Sequence, residues 1–180
     1  MRIVISGTPG SGKSTAAKLV AKALKLKHHS MGDLQRSYAK ERQISIGDLM
    51  KIEEHYPLID RELDGMQQQL GKNEDDFIID GRFSAYFIPH ATLKVFLDAD
   101  PIVRAERIWK DRRADENAKT PKELLKKMEV RQASDEKRCK QLYDVSYQDP
   151  KLYHHVLDTS KLKPADVVKQ IVGWAKEISE

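Results

Sequence analysis

A chain of 180 residues, 39% hydrophobic and 33% charged, suits one domain with a sizeable core. No apolar run approaches the length of a membrane span, and Arg2 to Ser6 enters a strand rather than a charged lead followed by an apolar stretch, so no membrane partner and a cytoplasmic setting are expected. The net charge of +4 admits nucleic acid or triphosphates as ligands, and the single cysteine, Cys139, excludes an intrachain disulfide.

In chain order, Ile3 to Ser6 is a short apolar strand. It leads into Gly7-Thr8-Pro9-Gly10-Ser11-Gly12-Lys13-Ser14, followed by Thr15. This is the G-x-x-x-x-G-K-[ST] pattern of a phosphate-binding loop, placed after a strand and before a helix as its chemistry requires. Glycines let the backbone turn its N–H groups toward a phosphate. Lys13 would reach the β- and γ-phosphates of a nucleoside triphosphate, and the Ser14 hydroxyl would hold Mg²⁺. From Ser14 to Leu24, Ala16, Leu19, Val20, Ala23 and Leu24 recur at helical spacing, so a helix N-terminus faces the anion.

A weak second strand falls at Lys27 to Ser30. Met31-Gly32-Asp33 then suggests a glycine turn at a helix start, with Arg36 one turn on as a phosphate ligand and Asp33 as an N-cap or an acceptor-side base. From about residue 32 to 72, helices follow with no strand between them, Pro57 opening one of them. Phe77 to Asp80 is a third strand, Leu93 to Leu97 a fourth and His155 to Leu157 a fifth. Strands alternating with helices argue for a parallel sheet covered on both faces. Asp100-Pro101 reads as an N-cap and first helical position, and Thr120-Pro121-x-Glu123 as a capping box. After Pro164, Val167, Ile171, Trp174, Ala175 and Ile178 form one stripe, read as core packing. Arg112 to Lys119 has almost nothing to bury and reads as a lid.

Asp80, at a strand end before Gly81 and Arg82, resembles a Walker-B acid that holds Mg²⁺ directly or through water. The plainer alternative is a strand-end turn with a surface arginine. Six arginines fall between Arg104 and Arg138, and none follows. Arg131, Asp135 and Arg138 share one face of a long helix at spacings of four and three, either a phosphate clamp or an ordinary ion pair. Arg104, Arg107, Arg112 and Arg113 lead into the lid, where arginines would close over a triphosphate or simply complement a helix C-terminus. Arginine suits bidentate phosphate contacts, so the cluster points to phosphoryl transfer more than to nucleic acid. The six histidines show no metal-ligand pattern and read as structural or surface residues.

No N-K-x-D or T-K-x-D sequence is present, so a guanine-specific switch is not expected. A small-alcohol kinase needs a carboxylate base, which Asp33 could supply. A nucleoside monophosphate needs none, because its phosphate is already mostly dianionic; its enzyme needs arginines that hold two mutually repelling phosphates in line.

Gly7 to Thr15, Met31-Gly32-Asp33, Ile59-Asp60-Arg61-Glu62-Leu63-Asp64, Asp80-Gly81-Arg82, Arg104-Ala105-Glu106-Arg107-Ile108, the R-x-x-x-D-x-x-R helix of Arg131 to Arg138 and Leu157-Asp158-Thr159-Ser160 together resemble the archaeal-type cytidylate kinases, in order and over nearly the whole chain. The resemblance implies a single P-loop domain of α/β class: a three-layer α/β/α fold with a five-stranded parallel sheet, adenylate-kinase-like. Its core would cover about residues 1–30, 74–110 and 140–180, a helical monophosphate-binding insertion about 31–73, and a short lid about 111–130. The substrates implied are ATP, used with Mg²⁺, and CMP or dCMP, with the chain acting as a monomer without nucleic acid. Gly7 to Thr15, Arg107, Thr159 and Ser160 would bind the donor. Asp33, Arg36, Asp60, Arg61, Gly81, Arg82 and Asp135 would hold the acceptor. Lys13, Arg112, Arg131 and Arg138 would act on the transferring phosphate, and Ser14 and Asp80 on the metal. An adenylate or broader monophosphate kinase, a shikimate-type kinase and a non-enzymatic nucleic-acid binder are the alternatives.

The chain departs from the family pattern at three places. The family commonly has E-G-R where this chain has Asp80-Gly81-Arg82, and R-Y and Y-G-I-D where it has Arg138-Cys139 and Tyr143-Asp144-Val145-Ser146. Phe83 stands where bacterial-type enzymes carry an aspartate that reads cytosine. The residues that read the base are left unassigned by the sequence.

Overall fold

The computed structural model describes residues 1–111 and 118–178, the side chains of residues 50, 54 and 57 excepted. The expected Arg112 and most of the lid stretch lie outside the described residues. Strand β1 (Arg2–Gly7) is followed by α1 (Lys13–Leu24), β2 (Lys27–Ser30), α2 (Met31–Glu41), α3 (Ile46–His55), α4 (Pro57–Asn73), β3 (Phe77–Asp80) and α5 (Ser84–Phe87). The chain continues with β4 (Leu93–Asp98), α6 (Pro101–Lys110), α7 (Pro121–Tyr143), a 3₁₀ turn at Pro150–Leu152, β5 (His155–Asp158) and α8 (Pro164–Glu177).

All five strands pair in parallel, in the order β2-β3-β1-β4-β5. Successive side chains point to opposite faces of a strand, which sorts the core into two layers. Ile3, Ile5, Ile78, Val95 and Leu97 pack with Ala16, Ala17 and Val20 of α1 and Val167, Ile171 and Ala175 of α8. Val4, Phe77, Ile79 and Phe96 pack on the other face with Phe83, Phe87, Tyr147 and Tyr153, and Cys139 of α7 joins them. Apolar residues on both faces explain why these strands read as continuous runs. Because β1 leads to β2 on one side and β3 leads to β4 on the other, the carboxyl ends of β1 and β3 open a crevice, where ligands bind in sheets of this kind.

Helices α2, α3 and α4 follow one another without a strand and share their own small cluster of Tyr38, Ala39, Leu49 and Leu63. A fourth cluster, Ala105, Ile108, Leu124 and Met128, joins α6 to α7.

Several expectations needed correction. Gly32 lies inside the first turn of α2. That helix is capped by the Ser30 side chain, which accepts from the Asp33 N–H, so Asp33 is not the N-cap. At α7, Thr120 accepts from the Glu123 N–H as expected, but the Glu123 carboxylate reaches the N–H of Lys119 rather than that of Thr120. Val167, Ile171 and Ala175 are buried, whereas Ile178 is exposed and the Trp174 ring stacks on His155 at 4.0 Å. The stripe is therefore core only over its first three turns.

Candidate active site

The crevice is a cleft of about 770 Å³ that runs from the loop after β1 to the helices α2, α4 and α7. At its floor the loop is held by the sheet. A Cβ on Gly7 would stand 2.0 Å from the Leu97 carbonyl oxygen of β4, so only glycine lets the two strands close there. Gly12 caps α1 with φ 92° and nothing near its missing Cβ, which leaves the backbone open toward the cleft. Thr8 is buried and donates to Asp98 Oδ1 at 2.6 Å. Gly7 and Thr8 thus anchor the loop, while Pro9, Gly10, Ser11, Gly12, Lys13, Ser14 and Thr15 line the cleft. Lys13 Nζ donates to the Thr8 carbonyl at 2.7 Å, curled over the loop.

Ser14 Oγ donates to Asp80 Oδ2 at 2.7 Å. Asp80 is buried at the end of β3 and is held by two more side chains from β2: His28 Nε2 at 2.6 Å and Ser30 Oγ at 3.3 Å. His28 therefore supports the site through Asp80, which is the structural side of the structural-or-surface expectation for the histidines. The signal was available: His28 and Ser30 are two apart on a strand, so they share the face on which Asp80 projects. A hydroxyl and a carboxylate are oxygen donors of the hard kind that Mg²⁺ prefers. Among the described residues no cluster of three or more His, Cys, Asp or Glu could hold a metal alone.

Toward α6 and β5, Arg107 donates to Thr159 Oγ1 and to its carbonyl at 3.0 and 2.7 Å, and both residues line the cleft. Ser160 does not line it; its Oγ accepts from the Asp100 N–H and ties the β5 end to the start of α6. Arg104 is buried and donates to the Pro9 carbonyl and to Gln132 Oε1. It braces the loop from behind, so it is neither a lid arginine nor a solvated cation at a helix end.

At the opposite end the arginines meet carboxylates from three elements. Asp135 of α7 is buried and paired with both Arg82 and Arg138. Arg138 also reaches Glu53 of α3 at 3.3 Å and Asp60 of α4 at 3.1 Å. Burial raises the Glu53 and Asp60 carboxyls while the Arg138 charge opposes that rise. Burial, with Arg131 close by, lowers Arg82 to about 9, which leaves it cationic at neutral pH. Arg131 and Gly81 line the same end, as do Asp33 and Arg36, which are paired to each other. Arg61 is exposed and does not line the cleft. Asp60, Leu63, Asp64 and Gln67 occupy the cleft face of α4, and a step of one residue rotates Arg61 away from it.

Sequence reasoning missed Glu53 and Gln67, and named Asp64 within the Ile59 to Asp64 motif without giving it a role. Glu53 is four residues after Leu49 on the buried face of α3, and a charge on an apolar face was its signal.

A phosphate-binding loop at one end of a parallel-sheet crevice and a buried arginine cluster at the other define a P-loop kinase. The fold agrees: the shikimate kinase of Bacteroides thetaiotaomicron superposes with a TM-score of 0.68 at 17% identity, covering 98% of each chain. The chain belongs to the cytidylate kinase-like family, whose model matches residues 2–161. It is 33% identical over 173 residues to the cytidylate kinase of Halobacterium salinarum, spanning 96% of this chain and 87% of the relative. To the cytidylate kinase of Pyrococcus abyssi it is 36% identical over 165 residues, spanning 92% and 88%.

Proposed function

We propose that the protein transfers the γ-phosphoryl group of ATP to CMP or dCMP. The observation that carries this reading is the cleft that joins Pro9 to Thr15 of the loop to the arginines Arg36, Arg82, Arg131 and Arg138. Gly12, Lys13 and the N-terminus of α1 would take the donor phosphates, with the donor nucleoside toward Arg107 and Thr159. Arg36 and Arg82 would hold the acceptor phosphate. Arg131 and Arg138 would neutralise the charge that builds between the two phosphates, a role that positioning and electrostatics can fill without covalent chemistry by the protein. Ser14 and Asp80 would hold Mg²⁺, which when bound supplies charge neutralisation at the donor phosphates. His28 and Ser30 would fix Asp80 from behind, as partners of a metal-side carboxylate do. Helices α2 to α4 would form the acceptor-binding insertion, and residues about 111–130 the lid that excludes water on closing.

Asp33 is salt-bridged to Arg36, which keeps its carboxyl below the usual range. This disfavours it as the base of a small-alcohol kinase and leaves an acceptor that arrives as a dianion.

ADP release from ATP and Mg²⁺ across CMP, dCMP, UMP, AMP, GMP and shikimate tests the proposal. CMP and dCMP are expected to have the highest kcat/KM. Preference for AMP, or turnover of shikimate alone, would refute it.

A further inference from the structure

Sequence motifs account for both phosphate ends of the cleft but leave one wall without a role. That wall is built by α4, α5 and the end of α7. Tyr143 Oη donates to Asp64 Oδ2 at 2.7 Å, Gln67 Nε2 donates to Asp64 Oδ1 at 3.0 Å, and Ser84 Oγ donates to Gln67 Oε1 at 2.6 Å. Gln67 and Ser84 are buried. Such a chain fixes each amide and hydroxyl in one orientation and aims the carboxylate. Beside it lies an aromatic wall: the Phe83 ring stacks on Tyr86 at 4.9 Å and tilts against Tyr143 at 5.5 Å. Leu63, Phe83, Leu142 and Tyr143 line the cleft together with Asp64 and Gln67. An apolar slot with a few oriented polar groups at its end is the form of a site for a flat heterocycle.

Its position fits the acceptor. Asp60 and Asp64 share a face of α4 one helical turn apart, and Asp60 holds Arg138 at the phosphate end. The slot therefore begins a turn beyond the acceptor phosphate. On the cytidylate reading of the cleft, on which this step rests, the acceptor base enters there.

We infer that Asp64, held by Gln67 and Tyr143, is the specificity-determining residue of the acceptor site, and that its carboxylate accepts a hydrogen bond from the exocyclic amine of cytosine. Each Asp64 oxygen takes one protein donor and retains a lone pair. An ionised carboxylate is acceptor-only, so it welcomes an amine and repels the carbonyl oxygen that uracil presents at the same ring position. Burial raises Asp64 to about 7, and each further donor favours the ionised form. Phe83, next to Arg82, has no polar atom with which to read the base.

The test uses the full-length protein with ATP and Mg²⁺ and three acceptors: CMP, UMP and the 4-deamino analogue of CMP, which lacks only the amine. Wild type is expected to lose on the order of tenfold to a hundredfold in kcat/KM on the analogue, the worth of a hydrogen bond to a charged group. Asp64→Asn should lose a similar factor on CMP, leave the analogue nearly unchanged and collapse the preference for CMP over UMP, which is the coupling signature of a direct contact. Calorimetric Kd values for CMP and the analogue, measured with a non-hydrolysable ATP analogue, should follow the same pattern. Equal use of CMP and its 4-deamino analogue by wild type would overturn the inference while leaving the cytidylate reading intact. So would an Asp64→Asn variant that loses CMP and the analogue by one factor, which is the mark of a structural role. The wild-type comparison decides alone if the variant does not fold. Absence of CMP turnover by wild type overturns both.

Discussion

Arg131 and Arg138 are one pattern in sequence but two environments in the structure. Arg138 is clasped by Glu53, Asp60 and Asp135, and burying such a charge is tolerable only because its partners come with it. Asp135 divides itself between Arg82 and Arg138, so its carboxylate positions guanidinium groups. Removing Arg138 would take the charge partner from Glu53 and Asp60 and mix stability with catalysis. Arg131 lines the same cleft. Arg131→Ala should lower kcat by about 10³ or more, as loss of a transition-state arginine does, beyond any shift in Tm. Steady-state kinetics beside a thermal melt measure both. An effect on Tm alone would assign Arg131 to an ordinary ion pair.

At the scale of elements, the long helix α7 ends on Asp144, whose φ of 55° and ψ of 30° are left-handed while its N–H closes on the Lys140 carbonyl. This is the position at which the family pattern carries glycine. Glycine takes that conformation freely, and an aspartate does so at some cost. The Lys140–Asp144 ion pair on the exposed end returns little. Asp144→Gly should therefore raise stability by about 0.5–1 kcal/mol, read from denaturant unfolding. A loss of stability would show that the ion pair outweighs the backbone. Strand β2 is informative at the same scale. Its polar residues Lys27, His28, His29 and Ser30 gave only a weak strand signal, yet it pairs in register with β3 along its length. Tertiary pairing overrode composition, and the result was to bring His28 and Ser30 to Asp80.

For the whole molecule, the cleft has two ends that belong to different parts of the chain. The loop and α1 are fixed to the sheet, while Glu53, Asp60 and Asp64 sit on helices with a separate small core. A ligand that occupies both ends binds the folded state twice through one linker, and linkage raises its effective concentration. A dinucleoside pentaphosphate carrying adenosine and cytidine should raise Tm more than ADP and CMP added together at equal concentration. Thermal denaturation with each ligand decides it, and an equal shift would mean that the two ends are not filled at once.

The sequence by itself determined the phosphate-binding loop, the five strands, the main helix starts and the arginine helix, because each rests on local spacing: glycines at fixed offsets, period-two and period-three-to-four patterns, and caps next to prolines. The side-chain partnerships were decided by tertiary structure alone. Spacing placed Arg131, Asp135 and Arg138 on one face but could not show that Arg82, Glu53 and Asp60 meet them from three other elements. It put Arg104 with the lid arginines, whereas packing buried it behind Pro9. It suggested that Asp80 ends a strand but left His28 outside the site. It passed over the Asp64, Gln67, Ser84 and Tyr143 chain, whose members are up to 79 residues apart. The physical reason is that a short-range pattern fixes which face a residue occupies, while what meets that face depends on how the sheet order brings distant elements together.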